Sequence, residues 1–311
     1  MDSLDKKILV ALMKNARIPL TQLSKKLNAS REVITYRINK LIKEKIIIKF
    51  ITNINTKQLG FSSASVFVSI KTKREEEFKE YLNKCPFIAW TSEFSGAWNF
   101  GIEVYGKNND EIHNRCMIIY DKFKEDIRDH RLTIHRKTQH FYEKYFDAPV
   151  ESKQKEIHSY KIDEKDKIIL KELAEDSRIS VVALTEKIKL TAPAIIHRIK
   201  QLQQSGYIQK FSIFIDPSKI GVYQYSIFII NKNMDQRTKL IAHLSRHPTV
   251  TFIIEYLGDP FLEFGLVLKD PYELRKTLQK IEESFPENRI TEVFLIQKEM
   301  LSIGPPACIF E

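Results

Sequence analysis

Between Ser30 and Lys49 the sequence sets out side chains suited to one kind of chemistry, the recognition of duplex nucleic acid. Burying Ile34, Ile38 and Leu41 on one face of a helix leaves Arg31, Glu32, Thr35, Tyr36, Asn39 and Lys40 on the other. Arginine can donate twice to the O6 and N7 of guanine, and asparagine can both donate and accept at adenine, so Arg31 and Asn39 are candidate base readers. Lys40, Lys43, Lys45 and Lys49 carry point charges suited to phosphates. Ser30 stands just ahead of the helix as its N-cap. A charged helix face is also what solvent alone would select, so the distribution of charge along the whole chain has to separate the two readings.

The 311 residues carry 50 Lys plus Arg against 40 Asp plus Glu, a formal charge of +10. Resolved along the chain, residues 1–58 hold +9, residues 59–160 are neutral, residues 161–219 hold +3 and residues 220–311 hold −2. The excess therefore sits with the candidate reading helix, as expected where phosphate contacts are made, and double-stranded DNA is the expected partner.

The elements that must position these side chains occur twice. Residues 5–60 align without a gap to residues 166–221 at a constant offset of 161: Asp5, Ile8, Leu9, Arg17, Arg37, Ile38, Phe50 and Gly60 recur as Asp166, Ile169, Leu170, Arg178, Arg198, Ile199, Phe211 and Gly221. Leu4, Ile8, Leu9 and Leu12 form one helical stripe, and Leu20, Leu23 and Leu27 a second. Asn28-Ala29-Ser30 then breaks the pattern before the third helix, the spacing of a helix-turn-helix. Copy two repeats it with the turn Lys189-Leu190-Thr191 and the inward set Ile195, Ile199 and Leu202. Its outward face is poorer in hydrogen-bonding groups: Ala192, Pro193, Ile196, His197, Lys200 and Gln201. Thr191, His197 and Lys200 are its candidate contacts, and copy two is either a weaker reader or a scaffold for the pair. Arg37 and Arg198 either face DNA or brace the helices. The β-branched and aromatic runs 46–54 and 207–215 predict a wing beside each set of helices.

Beyond each wing the hydrophobic period changes to alternation, in the order β-α-β-β-α-β, a ferredoxin-like arrangement. The fold class is α+β: two tandem modules, each a winged helix-turn-helix followed by a ferredoxin-like βαββαβ domain. The expected boundaries are 1–60 and 61–145 for copy one, a polar linker at 146–160, and 161–221 and 222–311 for copy two.

This order of parts, with Leu4-Asp5 opening the first helix and Asp216-Pro217-Ser218-Lys219-Ile220-Gly221 closing the second wing, resembles the Lrp/AsnC family of feast/famine transcriptional regulators. The resemblance implies a regulator that senses a small effector such as an amino acid near the hairpin turns Gly96-Ala97-Trp98-Asn99 and Gly258-Asp259. In this chain Asn99 stands where the family has Asp, and Pro260 where it has an aromatic. Family members normally carry one module per chain and dimerise, so this chain looks like a fused pair that builds a homo-oligomer on an intrachain pseudo-dimer. Siroheme decarboxylases are similar in fold and also occur as fused pairs. The basic reading helix, and the lack of a segment matching their histidine-bearing stretches, lead to the expectation of no enzymatic activity, no catalytic residues, and neither cofactor nor metal. A partner that only heterodimerises with a true regulator is a third reading.

Other patterns exclude more than they suggest. No run of about 20 apolar residues is present and the N-terminus lacks a leader pattern, so a cytoplasmic protein without a membrane partner is expected. Cys85, Cys116 and Cys308 are odd in number and widely spaced, which argues against a disulfide framework or metal clip. Gly101 to Asn108 nearly spells a phosphate-binding loop, but Ile102 and Val104 mark it as a strand. His130, His135 and His140, spaced by five on a strand, alternate faces and are expected at a surface or interface rather than around one ion.

Overall fold

The computed structural model describes residues 1–148, 158–231, 233–302 and 304–311. Copy one runs α1 (Ser3–Lys14), α2 (Leu20–Leu27), α3 (Arg31–Lys43), β1 (Ile47–Ile54), β2 (Ser62–Ile70), α4 (Glu75–Leu82), β3 (Ile88–Ser95), β4 (Phe100–Gly106), α5 (Asn109–Phe123) and β5 (Ile127–His140). Copy two repeats the order with α6 (Glu164–Glu175), α7 (Val181–Ile188), α8 (Ala192–Gln204), β6 (Ile208–Ile215), β7 (Tyr223–Ile230), α9 (Met234–Arg246), β8 (Val250–Tyr256), β9 (Leu262–Leu268), α10 (Glu273–Ser284) and β10 (Arg289–Ser302). The chain divides not into its two copies but into two compact units that each draw on both.

The first unit is built from Met1–Phe61, Glu151–Asp216 and Ser302–Glu311. Ile8, Leu9, Leu12, Leu23, Ile34 and Ile38 pack the first helical core, and Ile169, Leu170, Leu173, Leu184, Ile195 and Leu202 the second. Each helix-turn-helix turns on a residue in the left-handed region, Asn28 (φ 50°) and Lys189 (φ 56°). The strands expected as wings form at β1 and β6, but each finds its partner in the other copy. β1 pairs antiparallel with β6, Phe50 opposite Ile213, because neither strand has a second strand in its own helical domain to satisfy its backbone groups. Arg17 of copy one donates to the Ser177 and Ile179 carbonyls, and Arg178 of copy two returns a bond to the Ala16 carbonyl. Each guanidinium lies over the other copy's aromatic ring, Arg17 over Phe211 and Arg178 over Phe50.

The second unit, Ser62–Val150 and Pro217–Leu301, holds both βαββαβ patterns. Its strands close into one barrel in the order β10-β3-β4-β2-β5-β8-β9-β7. The long final strands make the closure. β5 pairs with β2 as far as Ile134 and from His135 onward with β8 of the other copy, while β10 lies between β7 of its own copy and β3 of the other. Sharing these strands leaves neither sheet an open edge. Phe67, Phe94, Trp98, Phe228, Phe294 and Ile296 form the apolar cluster shared by the two copies. Arg131 and Glu292 occupy corresponding positions, opposite Phe67 and Phe228 on their neighbouring strands, and are joined by an ion pair.

Three expected boundaries move. The last residues, Ser302–Glu311, leave the ferredoxin-like region and return to the first unit, where Cys308 and Ile309 are buried; their short apolar run fits a core better than a strand extension. The second helical unit ends at Asp216 rather than 221, since Pro217–Ile220 forms a short 3-10 turn. The expected linker begins later than 146, because Tyr142–Phe146 is a 3-10 helix with Tyr145 buried; residues 149–157 of it lie outside the described residues. Among the described residues no helix is long and apolar enough to cross a membrane.

Candidate nucleic-acid interface

The α3 face is assembled as its period requires. The Ser30 hydroxyl accepts from the Val33 backbone N–H at 3.3 Å, fixing the helix start. Ile34, Ile38 and Leu41 are buried, and Arg31, Glu32, Thr35, Tyr36, Asn39, Lys40 and Lys43 are exposed together. Tyr36 is 68% exposed among them. Among the described residues Arg31, Thr35, Asn39, Lys43 and Lys45 have no side-chain hydrogen bond or ion pair, so their donors are free for a ligand. Lys40 makes a loose pair with Glu44 at 3.8 Å. The Glu32 carboxyl is held below its usual range by its own backbone N–H and by the Ser30 hydroxyl. Lys49 does not share this face. It is half-buried on β1, where burial lowers its pKa against the opposing pull of Glu175 and Asp176.

Arg37 braces the helices. Its guanidinium bonds Asp5 at 2.9 Å and also Asp2, while Asp2 and Asp5 form a reciprocal capping box at the start of α1. The Arg37 hydrogen bond is the main cause that brings the Asp2 carboxyl down to about 2. Copy two repeats the clamp with Arg198 on Asp163 and Asp166, at 2.9 and 2.8 Å, and adds Tyr160 to Asp166 at 2.8 Å. The open choice between contact and brace is settled by these carboxylates, one of which is buried in each copy.

The corresponding face of α8 is exposed but apolar. Ile196 is 55% exposed, and Pro193, His197 and Lys200 are open beside it. Thr191 occupies the N-cap without a side-chain capping bond, Pro193 being in the first turn. Gln201 is turned toward His197 at 3.4 Å.

The hairpin turns expected to hold an effector are largely tied into the barrel. Asn99 accepts from the Ile70 backbone N–H at 2.8 Å and so links β4 to β2. Trp98 is buried, its ring under the Arg131 guanidinium and its N–H donating to Glu292 at 3.3 Å. Gly96 (φ 140°) is pressed on by Phe294, which a side chain there would strike. Gly96, Ala97, Gly258 and Asp259 are exposed.

The structure also gathers a polar network inside the barrel. His135 is 5% exposed, bonded through Nδ1 to Ser63 at 3.0 Å and through Nε2 to Ser65 at 2.7 Å, with Glu103 at 3.4 Å. Burial opposes the charged form of Glu103, but hydrogen bonding from His135 and Ser63 outweighs it and holds that carboxyl below its usual range. Ser65 also accepts from Tyr256, which bonds Glu263, and Glu263 accepts from Ser226. Burial raises the Glu263 carboxyl. His135 is thus an interior residue wired to other copy-one strands. His130 packs against the Tyr120 ring and His140 stacks on Tyr142, so the three do not converge. Polar residues at 63, 65 and 103, on strands otherwise apolar, were the signal for this network.

Comparison with known proteins agrees with the helical reading. The family model described as winged helix-turn-helix DNA-binding matches residues 1–48 and 162–209. The HTH-type transcriptional regulator FL11 of Pyrococcus furiosus is 30% identical over 115 residues, covering 37% of this chain and 76% of its own length. The transcriptional regulator AzlB of Bacillus subtilis is 31% identical over 112 residues, covering 35% of this chain and 71% of its own. The chain belongs to the Lrp/AsnC family of transcriptional regulators. Those relatives match little more than a third of this Lrp/AsnC-type chain, as a fused pair requires. A solved structure that follows it through both copies is that of the siroheme decarboxylase NirDL, with a TM-score of 0.63 and 13% identity over 98% of this chain and 94% of NirDL. That likeness shows the tandem fold. It also overturns the expectation that the chain is not an enzyme, because the same two-copy fold, end to end, is that of an enzyme.

Proposed function

We propose that this Lrp/AsnC-type chain binds double-stranded DNA chiefly through the α3 face of copy one, with α8 of copy two as the weaker contact. The observation that carries the reading is the set of exposed donors without a side-chain hydrogen bond or ion pair among the described residues, Arg31 and Asn39 above all, on the region that holds +9 of the net charge. Arg31 and Asn39 contact base edges, Thr35 and Tyr36 lie between them, and Lys40, Lys43 and Lys45 meet phosphates. Chains associate into a homo-oligomer so that copy-one faces meet two half-sites. Sites selected from a random duplex library test this: enrichment of a two-part motif whose binding is lost in Arg31→Ala/Asn39→Ala supports it, and enrichment unaffected by that variant refutes it. Sensing of an amino acid at Gly96–Asn99 is a further part of the proposal, checked by calorimetry with the common amino acids.

A second reading is supported by the full-length likeness to NirDL, namely chemistry on a tetrapyrrole. Visible spectra recorded during addition of siroheme separate the two. A saturable shift of the main absorption band favours the enzyme, and an unchanged spectrum favours the regulator alone.

A further inference from the structure

The second unit carries a basic depression that neither DNA reading nor effector sensing at the hairpin turns uses. It is a surface cavity of about 500 Å³ at the C-terminal end of α9, lined by Lys239, Ala242, His243, Arg246, His247 and Pro248. Among the described residues Lys239 and Arg246 have no ion-pair partner. Burial is the largest cause lowering the His247 pKa, and the neighbours that add to it, His243, Lys144 and Lys280, all have basic side chains.

Complementing the helix dipole does not account for this crowd. A helix C-terminus carries roughly half a negative charge, and Lys144 already meets it by donating to the Ser245 and His247 carbonyls at 2.8 Å each. Burial brings the Lys144 ammonium, which is not among the residues lining the cavity, down to about 8. The repeat supplies an internal control. On the alignment that sets Cys85-Pro86 against His247-Pro248, the positions matching Lys239, His243, Arg246 and His247 are Glu77, Tyr81, Lys84 and Cys85. Lys239 and the two imidazoles are thus particular to copy two, while Lys84 keeps a cation at the position of Arg246.

We propose that this cavity is a binding site for a small phosphorylated anion, with Lys239 and Arg246 on its charged oxygens and the two imidazoles donating beside them. An arginine and an imidazole donor on one wall suit a phosphoryl group, which accepts several charge-assisted hydrogen bonds at once, and the volume accommodates a pyrophosphate or a compound of metabolite size.

Calorimetric titration of the full chain with sodium pyrophosphate tests the site. Saturable binding is expected, weakened about tenfold or more in Lys239→Gln/Arg246→Gln, a tenfold loss being about 1.4 kcal/mol. Lys84→Gln, at the copy-one position matching Arg246, is expected to bind as the parent does. The ring resonances of His243 and His247 should move during the titration. Binding that survives the double substitution, or no binding at all, overturns the proposal. So does a result in which the double variant loses affinity for random-sequence duplex DNA while the parent ignores pyrophosphate, which would assign the cluster to nucleic acid.

Discussion

The two helices α3 and α8 have the same length, the same buried triad and the same arginine clamp, yet opposite exposed chemistry. α3 shows an arginine, an asparagine, a tyrosine and lysines to solvent; α8 shows Ile196, Pro193, His197 and Lys200. Everything that holds the helix in place is kept, and what differs is what the helix could touch. The positions that brace the fold and those that face a ligand interleave along one helix, so duplication allowed the second set to diverge without disturbing the first.

Four experiments break or sharpen this contrast. The largest effect is expected from Arg31→Ala/Asn39→Ala, which should weaken specific DNA binding by about a hundredfold if each residue contributes roughly 1–3 kcal/mol. Gel-shift titration measures it. The matching change in copy two, His197→Ala/Lys200→Ala, should cost about threefold or less, as expected of peripheral contacts; equal losses in the two variants would end the claim of unequal readers. Lys43→Ala should weaken binding to all sequences alike and reduce the slope of log affinity against log salt by about one. The smallest effect concerns the shared clamp. The Asp2 carboxyl lies at about 2 in the folded chain against an ordinary 3.8, so its contribution is full above 3.8 and is lost as pH falls toward 2. Arg37→Met should therefore flatten the acid limb of a plot of melting temperature against pH, and an unchanged limb would detach the clamp from stability.

Much of this was legible before any coordinates. Helix faces follow from a period of 3.6, so the burial of Ile34, Ile38 and Leu41 and the cap at Ser30 stood in the sequence itself. Strand partners did not. Alternation tells which side of a strand faces inward and says nothing of which strand lies beside it, so the β1–β6 pairing and the exchange of β5 and β10 between copies were invisible. His135 illustrates the limit. The alternation argument correctly separated it from His130 and His140, but its burial depends on β5 changing partner at that residue and on the barrel closing around it. Lys49 stands apart from the α3 face for a similar reason, since its strand pairs with β6 of the other copy and the side chain is half-buried there.

Arg131 and Glu292 hold matching places in the two copies and face each other. Were either half to assemble with a replica of itself, arginine would meet arginine or glutamate would meet glutamate, and like charges at such close range repel. The pair therefore tells the two halves apart and works as a lock with a single key. Separately expressed halves should find each other and refuse their own kind.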